Sequence, residues 1–386
     1  MWCRLSSIST NGDGLGHNSM KILYLLADLR SVGPTRQTLN IIKYSGVKDS
    51  CLVLTMFDEP PETLIGLYRD AGINVECLHL HRQAFVFNAV RKIAAFCTEK
   101  NIDVIHTYGV KPDIVAHFVS KKTGIKHIIT LRNFPMEDLT GRMNPWAGKV
   151  VAHLHLFALK RCENLVACSE TIARKMRERY GVEITPIQNG VDTSVFKKSK
   201  SPILNNPYSE LGIDGKSVIF ICTNSFIPRK HNDEIAEAFL KADLENAHLF
   251  FLGDGFLLKN TIAKYAAFPN IHFLGKKKDV VPFLQHANIF VSASDSEGLP
   301  NAVLEAIACG CFVMLSDIPQ HREIIDILRS CGLLFSLRQV DTICSKMQEM
   351  AKQINEFDVK DFLEESPFTM EKMGVSYGRY YGEIKC

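Results

Sequence analysis

No stretch of this 386-residue chain is apolar for long enough to cross a bilayer as a helix, which takes roughly 18 consecutive residues. Cysteines are numerous, at twelve, but none form a C-x-x-C pair, and Cys309-x-Cys311 has no second pair at metal spacing. That pattern excludes a zinc-knuckle or disulfide framework and reads as reduced thiols in a cytoplasmic chain. The first 19 residues, MWCRLSSISTNGDGLGHNS, lack the apolar centre of a signal peptide. The globular pattern starts at Met20 with MKILYLLA, so Met20 is expected to be the functional start and residues 1–19 a disordered or non-native leader. The formal net charge of +3 lacks the strong positive bias of a bulk nucleic-acid binder, and no nucleic-acid partner is expected.

What the chain does have is alternation. Its 46% hydrophobic content supports a sizeable core. From Met20 onward short apolar runs alternate with helical periodicity: 21–27, 51–57, 73–80, 103–108, 126–131, 164–169 and 183–188 read as strands. Runs apolar throughout belong to strands covered on both faces, so this is a doubly wound α/β unit. KKSKSPILNNPYSELGIDGK (197–216) breaks the pattern and reads as a hinge. The alternation resumes at 217–223, 247–253, 270–275, 287–293, 311–317 and 332–335, and helical stretches near 338–355 and 368–384 close the chain. The predicted organisation is two Rossmann-like domains, 20–200 and 201–365, facing each other across a cleft. Residues 366–386 are expected to form a C-terminal helix crossing back to the first. Ligands of such sheets bind beyond the carboxyl ends of the strands.

One stretch placed there is SEGLPNAVLEAIACG (296–310). Pro300 suits a helix start, and Gly310 suits its end. The first amides of such a helix have no internal partner and favour a phosphate. Glu297 and Glu305 would repel that phosphate, so they must address something else. A carboxylate accepting two hydrogen bonds from vicinal hydroxyls is the natural alternative. The combination fits a diphosphate flanked by sugars, a nucleotide sugar. Paired carboxylates also serve glycosidases and metal sites, though neither use explains the adjoining helix start. A solvated helix with two chance glutamates is the bland alternative.

The stretch EGLPNAVLEAIACG resembles the E-x7-E signature of the retaining glycosyltransferases of sequence family 4. QNGVDTSVF (188–196), PRKHNDEIAEAF (228–239), FLGDG (251–255), FLGKKKDVVPFL (273–284), SDIPQHREII (316–325) and GLLF (332–335) resemble further motifs of that family in order. The resemblance runs from Met20 to the C-terminus and implies the GT-B fold. It implies that Glu305 holds the ribose hydroxyls and Glu297 the transferred sugar. The amides of Leu299, Asn301 and Ala302 would face the distal phosphate or sugar, and Lys230 the diphosphate. Asn224, Gly253 and Lys276, at the strand ends around the nucleotide, are carried over as substrate-binding. The family's arginine ahead of the lysine is missing, since Asn224 and Ser225 stand there; Arg229 is the candidate replacement. Gly33, in LRSVGPTRQ, matches one glycine of a loop where the family commonly has two. Arg132 stands near where many relatives have a histidine; an arginine cannot act as a base at neutral pH, so with Glu297 and Lys230 it is expected to be catalytic by contacting an acceptor phosphate or the donor sugar. His106, His117, Glu137 and Asp138 are alternatives on the acceptor side.

The resemblance further implies transfer from a nucleotide-sugar donor, a UDP-sugar by preference, to a carbohydrate or lipid-linked acceptor, with retention and without a cofactor. The donor half has no D-x-D-type motif at a strand end, so metal-independent transfer is expected, with Lys230 and the helix start stabilising the leaving group. The apolar segment 144–161, with Trp146, Lys149, Lys160 and Arg161, is either a core helix or a surface resting on an anionic membrane, with KKTGIKH (121–127) adding charge. Peripheral contact with the inner face of the membrane is the expectation. A UDP-sugar epimerase of the same architecture and a non-catalytic nucleotide-sugar-binding protein are the rival readings.

Overall fold

A computed structural model describes residues 20–81, 86–136, 144–199, 206–353 and 366–385. Its N-terminal half holds β1 (Ile22–Leu26), β2 (Cys51–Thr55), β3 (Val75–Cys77), β4 (Val104–Thr107), β5 (Lys126–Leu131), β6 (Asn164–Ala167) and β7 (Thr185–Pro186). They form one sheet in the order β3-β2-β1-β4-β5-β6-β7, every pairing parallel. The C-terminal half holds β8 (Val218–Thr223), β9 (Ala247–Leu252), β10 (Ile271–Gly275), β11 (Ile289–Ser292), β12 (Phe312–Ser316) and β13 (Gly332–Phe335). Their order is β10-β9-β8-β11-β12-β13, again parallel. The expected α/β architecture of two Rossmann-like halves is what the chain adopts.

The apolar runs explain the layering. All five residues of β1, ILYLL, are buried, as are the four of β11; such strands need helices on both faces. Strand order reverses between β1 and β4 and between β8 and β11. Those reversals open a crevice at the carboxyl ends, and the quoted motifs follow these strands: Gly33 after β1, Lys230 after β8, Glu297 after β11.

Some boundaries differ from expectation. Of 183–188 only Thr185–Pro186 pairs with β6, and of 73–80 only Val75–Cys77 pairs with β2. Each is an edge strand, where a single neighbour sets the length of the ladder. The second ends before His79, whose φ of 49° takes the chain out of extended geometry. The predicted hinge is partly anchored. Tyr208 is buried, its ring centroid 4.5 Å from that of Phe250, and its hydroxyl donates to the Phe283 carbonyl at 2.9 Å. Composition hid this one aromatic plug. The ten described cysteines are free thiols.

The final helix, Met370–Lys385, lies against the helix Gly33–Tyr44 of the N-terminal half. Met373, Tyr377 and Tyr381 are buried in the same core as Ile22 and Tyr24. Gly374 permits the approach: a Cβ there would lie 2.4 Å from the Tyr44 carbonyl oxygen. Tyr381 joins a closed polar network, 2.6 Å from the Tyr24 hydroxyl and 2.8 Å from His106 Nδ1. His106 Nε2 meets Thr130 Oγ1 at 2.7 Å. Burial first, then the charge of Arg132, lower the His106 pKa to about 3. A neutral imidazole with both nitrogens partnered is structural, not a base for the reaction.

Candidate functional site

Two helices begin in the crevice, Gly33–Tyr44 after β1 and Asn301–Ala308 after β11. Each has proline at its start and no side-chain cap, so the first amides stay open and carry the positive end of the helix dipole. The two starts meet: a Cβ on Gly33 would lie 3.1 Å from Asn301 Nδ2. Between them is a cavity of about 260 Å³, lined in part by Gly33, Arg36, Gln37, Asn301, Ala302 and Glu305.

Side chains fasten these starts across the crevice. Gln37 Nε2 donates to the Gly190 carbonyl at 2.8 Å and to Asn301 Oδ1 at 3.1 Å. Asn189 Nδ2 donates to the Leu299 carbonyl at 3.1 Å and to Asn301 Oδ1 at 3.0 Å. Arg132 Nη1 donates to Asn189 Oδ1 at 2.7 Å. Gly298 lets the loop press against β5's end, since a Cβ there would stand 2.0 Å from the Arg132 carbonyl oxygen. Any side chain at this position forces the two halves apart. Arg132 is thereby a brace, tied through Asn189 to the GLPN loop; its Nε is buried without a partner.

A charged cluster occupies the neighbouring strand ends. Pro228–Lys230 forms a 3-10 turn after β8, bringing Lys230 Nζ onto Glu297 Oε1. Arg229 Nη1 stands 3.1 Å from Glu297 Oε2 and donates to the Ser296 carbonyl at 2.5 Å. Gln320 Nε2 holds the Glu297 carbonyl at 2.7 Å. Glu297 is only 8% exposed. Burial alone would raise its pKa, but the Lys230 and Arg229 charges outweigh burial and hold it at about 2. The same burial lowers Lys230, partly offset by Glu297. Glu305 has no such cations in contact: burial lifts it to about 7, and Arg36 only moderates the rise.

The structure therefore brings Glu297, Lys230 and Arg229 into one cluster, and Gly33, Asn301, Ala302 and Glu305 onto one cavity. Leu299 and Arg132 join through Asn189. Lys276 stands apart from these, paired with Glu62 across the crevice. Gly253 lies under Asn224, whose carbonyl oxygen would be 1.7 Å from a Cβ there. The Asn224 side-chain amide has both polar atoms buried without a partner. Glu137 and Asp138 lie outside the described residues. Sequence reading missed Arg36, Gln37, Asn189 and Glu323. All four stand inside motifs read from the sequence, LRSVGPTRQ, QNGVD and SDIPQHREII, where their position was a signal.

Asp58, Cys77 and His79 are the one group of three metal-type ligands among the described residues, within 4.8 Å of one another. They stand beside the edge strand β3 and do not line the cavity. The residues at the two helix starts are amides, cations and two carboxylates facing different partners, a donor set for a phosphate and hydroxyls.

Two facing Rossmann-like halves, with open helix starts and a lysine–arginine–glutamate cluster at the strand ends of the C-terminal one, define the GT-B architecture. Two family descriptions match the chain: Glycosyl transferases group 1 over residues 208–356, and Glycosyltransferase Family 4 over residues 52–195. The chain is thus a glycosyltransferase whose N-terminal half matches the family 4 description and whose C-terminal half matches the group 1 description. An Escherichia coli UDP-Gal:alpha-D-GlcNAc-diphosphoundecaprenol alpha-1,3-galactosyltransferase is 26% identical over 266 residues, 64% of this chain and 66% of that protein. The O-antigen biosynthesis glycosyltransferase WclY, also from Escherichia coli, is 22% identical over 95% of this chain and 99% of its own length. Among solved structures, Anabaena HepE in complex with UDP and glucose superposes with a TM-score of 0.79 at 16% identity, covering 94% of this chain and 99% of that one.

Proposed function

We propose that this glycosyltransferase moves a sugar from a UDP-sugar to a hydroxyl of a lipid-linked glycan, with retention at the anomeric carbon and without a metal ion, in the synthesis of a surface polysaccharide. The convergence of two uncapped helix starts beside the Lys230–Arg229–Glu297 cluster carries the reading. A diphosphate arriving there competes with Glu297 for its cations. Lys230 and Arg229 then take up phosphate charge, and Glu297 is freed to accept hydrogen bonds from the sugar. As the glycosidic bond breaks, the electron pair leaves with the phosphate oxygen, where Lys230 and the amides of Asn301 and Ala302 stabilise it. No histidine or carboxylate in a general-base arrangement is needed if that leaving phosphate helps take the acceptor proton.

The relatives' names support the donor and acceptor: one names UDP-Gal and a diphosphoundecaprenol-linked sugar, and a structural neighbour carries UDP and glucose. At about 260 Å³ the cavity is smaller than the usual ligand pocket of about 300–1,000 Å³. In this proposal the halves part to admit the donor and close again on it, which excludes water from the activated sugar.

The acceptor side includes a membrane-facing surface in this proposal. Trp146, Val150, Leu154 and Phe157 recur at helical spacing on Pro145–Leu159, are 81%, 60%, 53% and 43% exposed, and adjoin the exposed Phe118. Lys149 lies over the Trp146 ring and Arg161 over the Phe157 ring. An apolar stripe rimmed with cations matches an anionic bilayer surface. No described helix is long and apolar enough to cross a membrane.

The test incubates the purified chain with a panel of UDP- and GDP-sugars and a diphosphoprenol-linked sugar, with and without EDTA. Acceptor-dependent UDP release, a product of unchanged anomeric configuration and insensitivity to EDTA are expected. Inverted product, loss of turnover in EDTA, or epimerised donor without acceptor would each overturn the corresponding part.

A further inference from the structure

We propose that Arg36, in the first turn of the helix Gly33–Tyr44, is the second cation of the donor diphosphate site, filling from the N-terminal half the role that Asn224 and Ser225 leave empty in the C-terminal half. The inference rests on the nucleotide-sugar reading above and adds a residue to it.

The C-terminal half is short of charge for a diphosphate. Arg229 is held by Glu297 and by the Ser296 carbonyl, and Lys230 by the same carboxylate. Two cations on one buried carboxylate leave a single net positive charge, where a nucleoside diphosphate in a sugar donor brings two negative ones. The position before the lysine turn cannot supply the difference, since an asparagine and a serine stand there. Arg229 therefore replaces the missing arginine only in part.

Arg36 supplies what is lacking. It lines the cavity between the two helix starts together with Gly33, Asn301, Ala302 and Glu305. It is exposed, and no hydrogen bond or ion pair engages its side chain among the described residues, while its neighbours Thr35 and Gln37 are buried and bonded. Its effect on Glu305 runs across the crevice from one half to the other. A guanidinium presents five donors in a planar fork suited to two phosphate oxygens at once.

Placement makes the folding explanation weak. A cation in the first turn opposes the helix dipole, and helices favour acidic residues there. Here the first turn holds no acidic residue and one arginine. Arg36 has no local partner to offset that cost. A residue that breaks a local rule without structural gain marks a site whose partner arrives later. With a diphosphate between the two helix starts, Arg36 from one half and Lys230 from the other grip the same anion, so donor binding itself draws the crevice closed.

The experiment measures affinities of UDP and uridine by calorimetry for wild type, Arg36→Ala and Arg36→Lys, with GDP and guanosine in parallel. Loss of a charge-assisted contact weakens diphosphate binding roughly ten- to a hundredfold in Arg36→Ala. The nucleoside affinity stays at the wild-type value, Arg36→Lys recovers part of the loss, and the melting temperature does not fall. Diphosphate affinity within about twofold of wild type, or an equal loss for the nucleoside, overturns the role of Arg36 and leaves the nucleotide-sugar reading standing. Wild type that binds neither diphosphate overturns that reading and this inference together.

Discussion

Glu323, in the C-terminal half, closes the start of a helix in the N-terminal half through Thr171. Its carboxylate accepts from the Thr171 amide at 2.9 Å and hydroxyl at 2.7 Å, and from the Glu170 amide at 2.9 Å. Gln188 Nε2 donates at 2.6 Å to Oε1, the oxygen that also accepts from Glu170. The helix Glu170–Tyr180 is thus capped twice, locally by Ser169 and from across the crevice by Glu323. Replacing Glu323 by alanine removes a charge-assisted cap and leaves two amides open. A loss of about 2 kcal/mol is expected, read from urea unfolding. Glu323→Gln should recover part of it. A change below about 0.5 kcal/mol would show that the halves do not lean on this carboxylate.

The lysine cluster makes a kinetic prediction. Lys230→Ala removes the nearer of the two cations on Glu297. If the cation acts mainly on the leaving diphosphate, kcat falls by roughly 10²–10³-fold, and the acceptor KM changes little. Glu297→Gln keeps the shape but weakens the grip on the sugar, so it should lower kcat while UDP affinity holds or rises as Lys230 is released. Turnover of Lys230→Ala within threefold of wild type would remove the lysine from the reaction.

Legibility in the sequence followed the physics of each feature. Strands such as ILYLL announce themselves because burial on both faces demands an unbroken apolar run. Glu297 and Lys230 were legible because a short motif carries each to a strand end. Arg132 was visible as a residue but not as a brace, because its partner Asn189 is 57 positions away. Arg36 and Gln37 were likewise visible in LRSVGPTRQ but not as residues facing the opposite half. Their meaning depends on which helix start the fold sets opposite them, and local pattern holds no record of that.

The stripe on Pro145–Leu159 carries an outcome that separates packing from binding. Val150 and Leu154 are more than half exposed, so glutamate at both should leave the fold intact and UDP affinity unchanged. Cosedimentation with vesicles of anionic lipid should be lost. Alanine at Lys149 and Lys160 should weaken it by about 1 kcal/mol per cation and reduce its salt dependence. Wild-type protein that stays in the supernatant at low salt would show the stripe serves something other than a membrane.

Glu305 sets a pH dependence whose sign is fixed by its surroundings. Burial raises its carboxyl to about 7 from the ordinary 4.5, with Arg36 the charge that acts against the rise. Between those values the folded chain holds a proton that the unfolded chain has released. Stability from this group is therefore complete below about pH 4.5 and is lost as pH rises through 7. Binding runs the other way. A carboxylate accepts from ribose hydroxyls more strongly than a carboxylic acid does, so UDP affinity should climb between pH 6 and 8. The phosphate of UDP titrates in that range too, but equally for every variant. The comparison is thus wild type against Glu305→Gln, whose amide cannot ionise. The variant should show only the shallow dependence of the nucleotide itself, and weaker binding at pH 8. Parallel pH curves for the two proteins would mean that the ribose does not rest on Glu305.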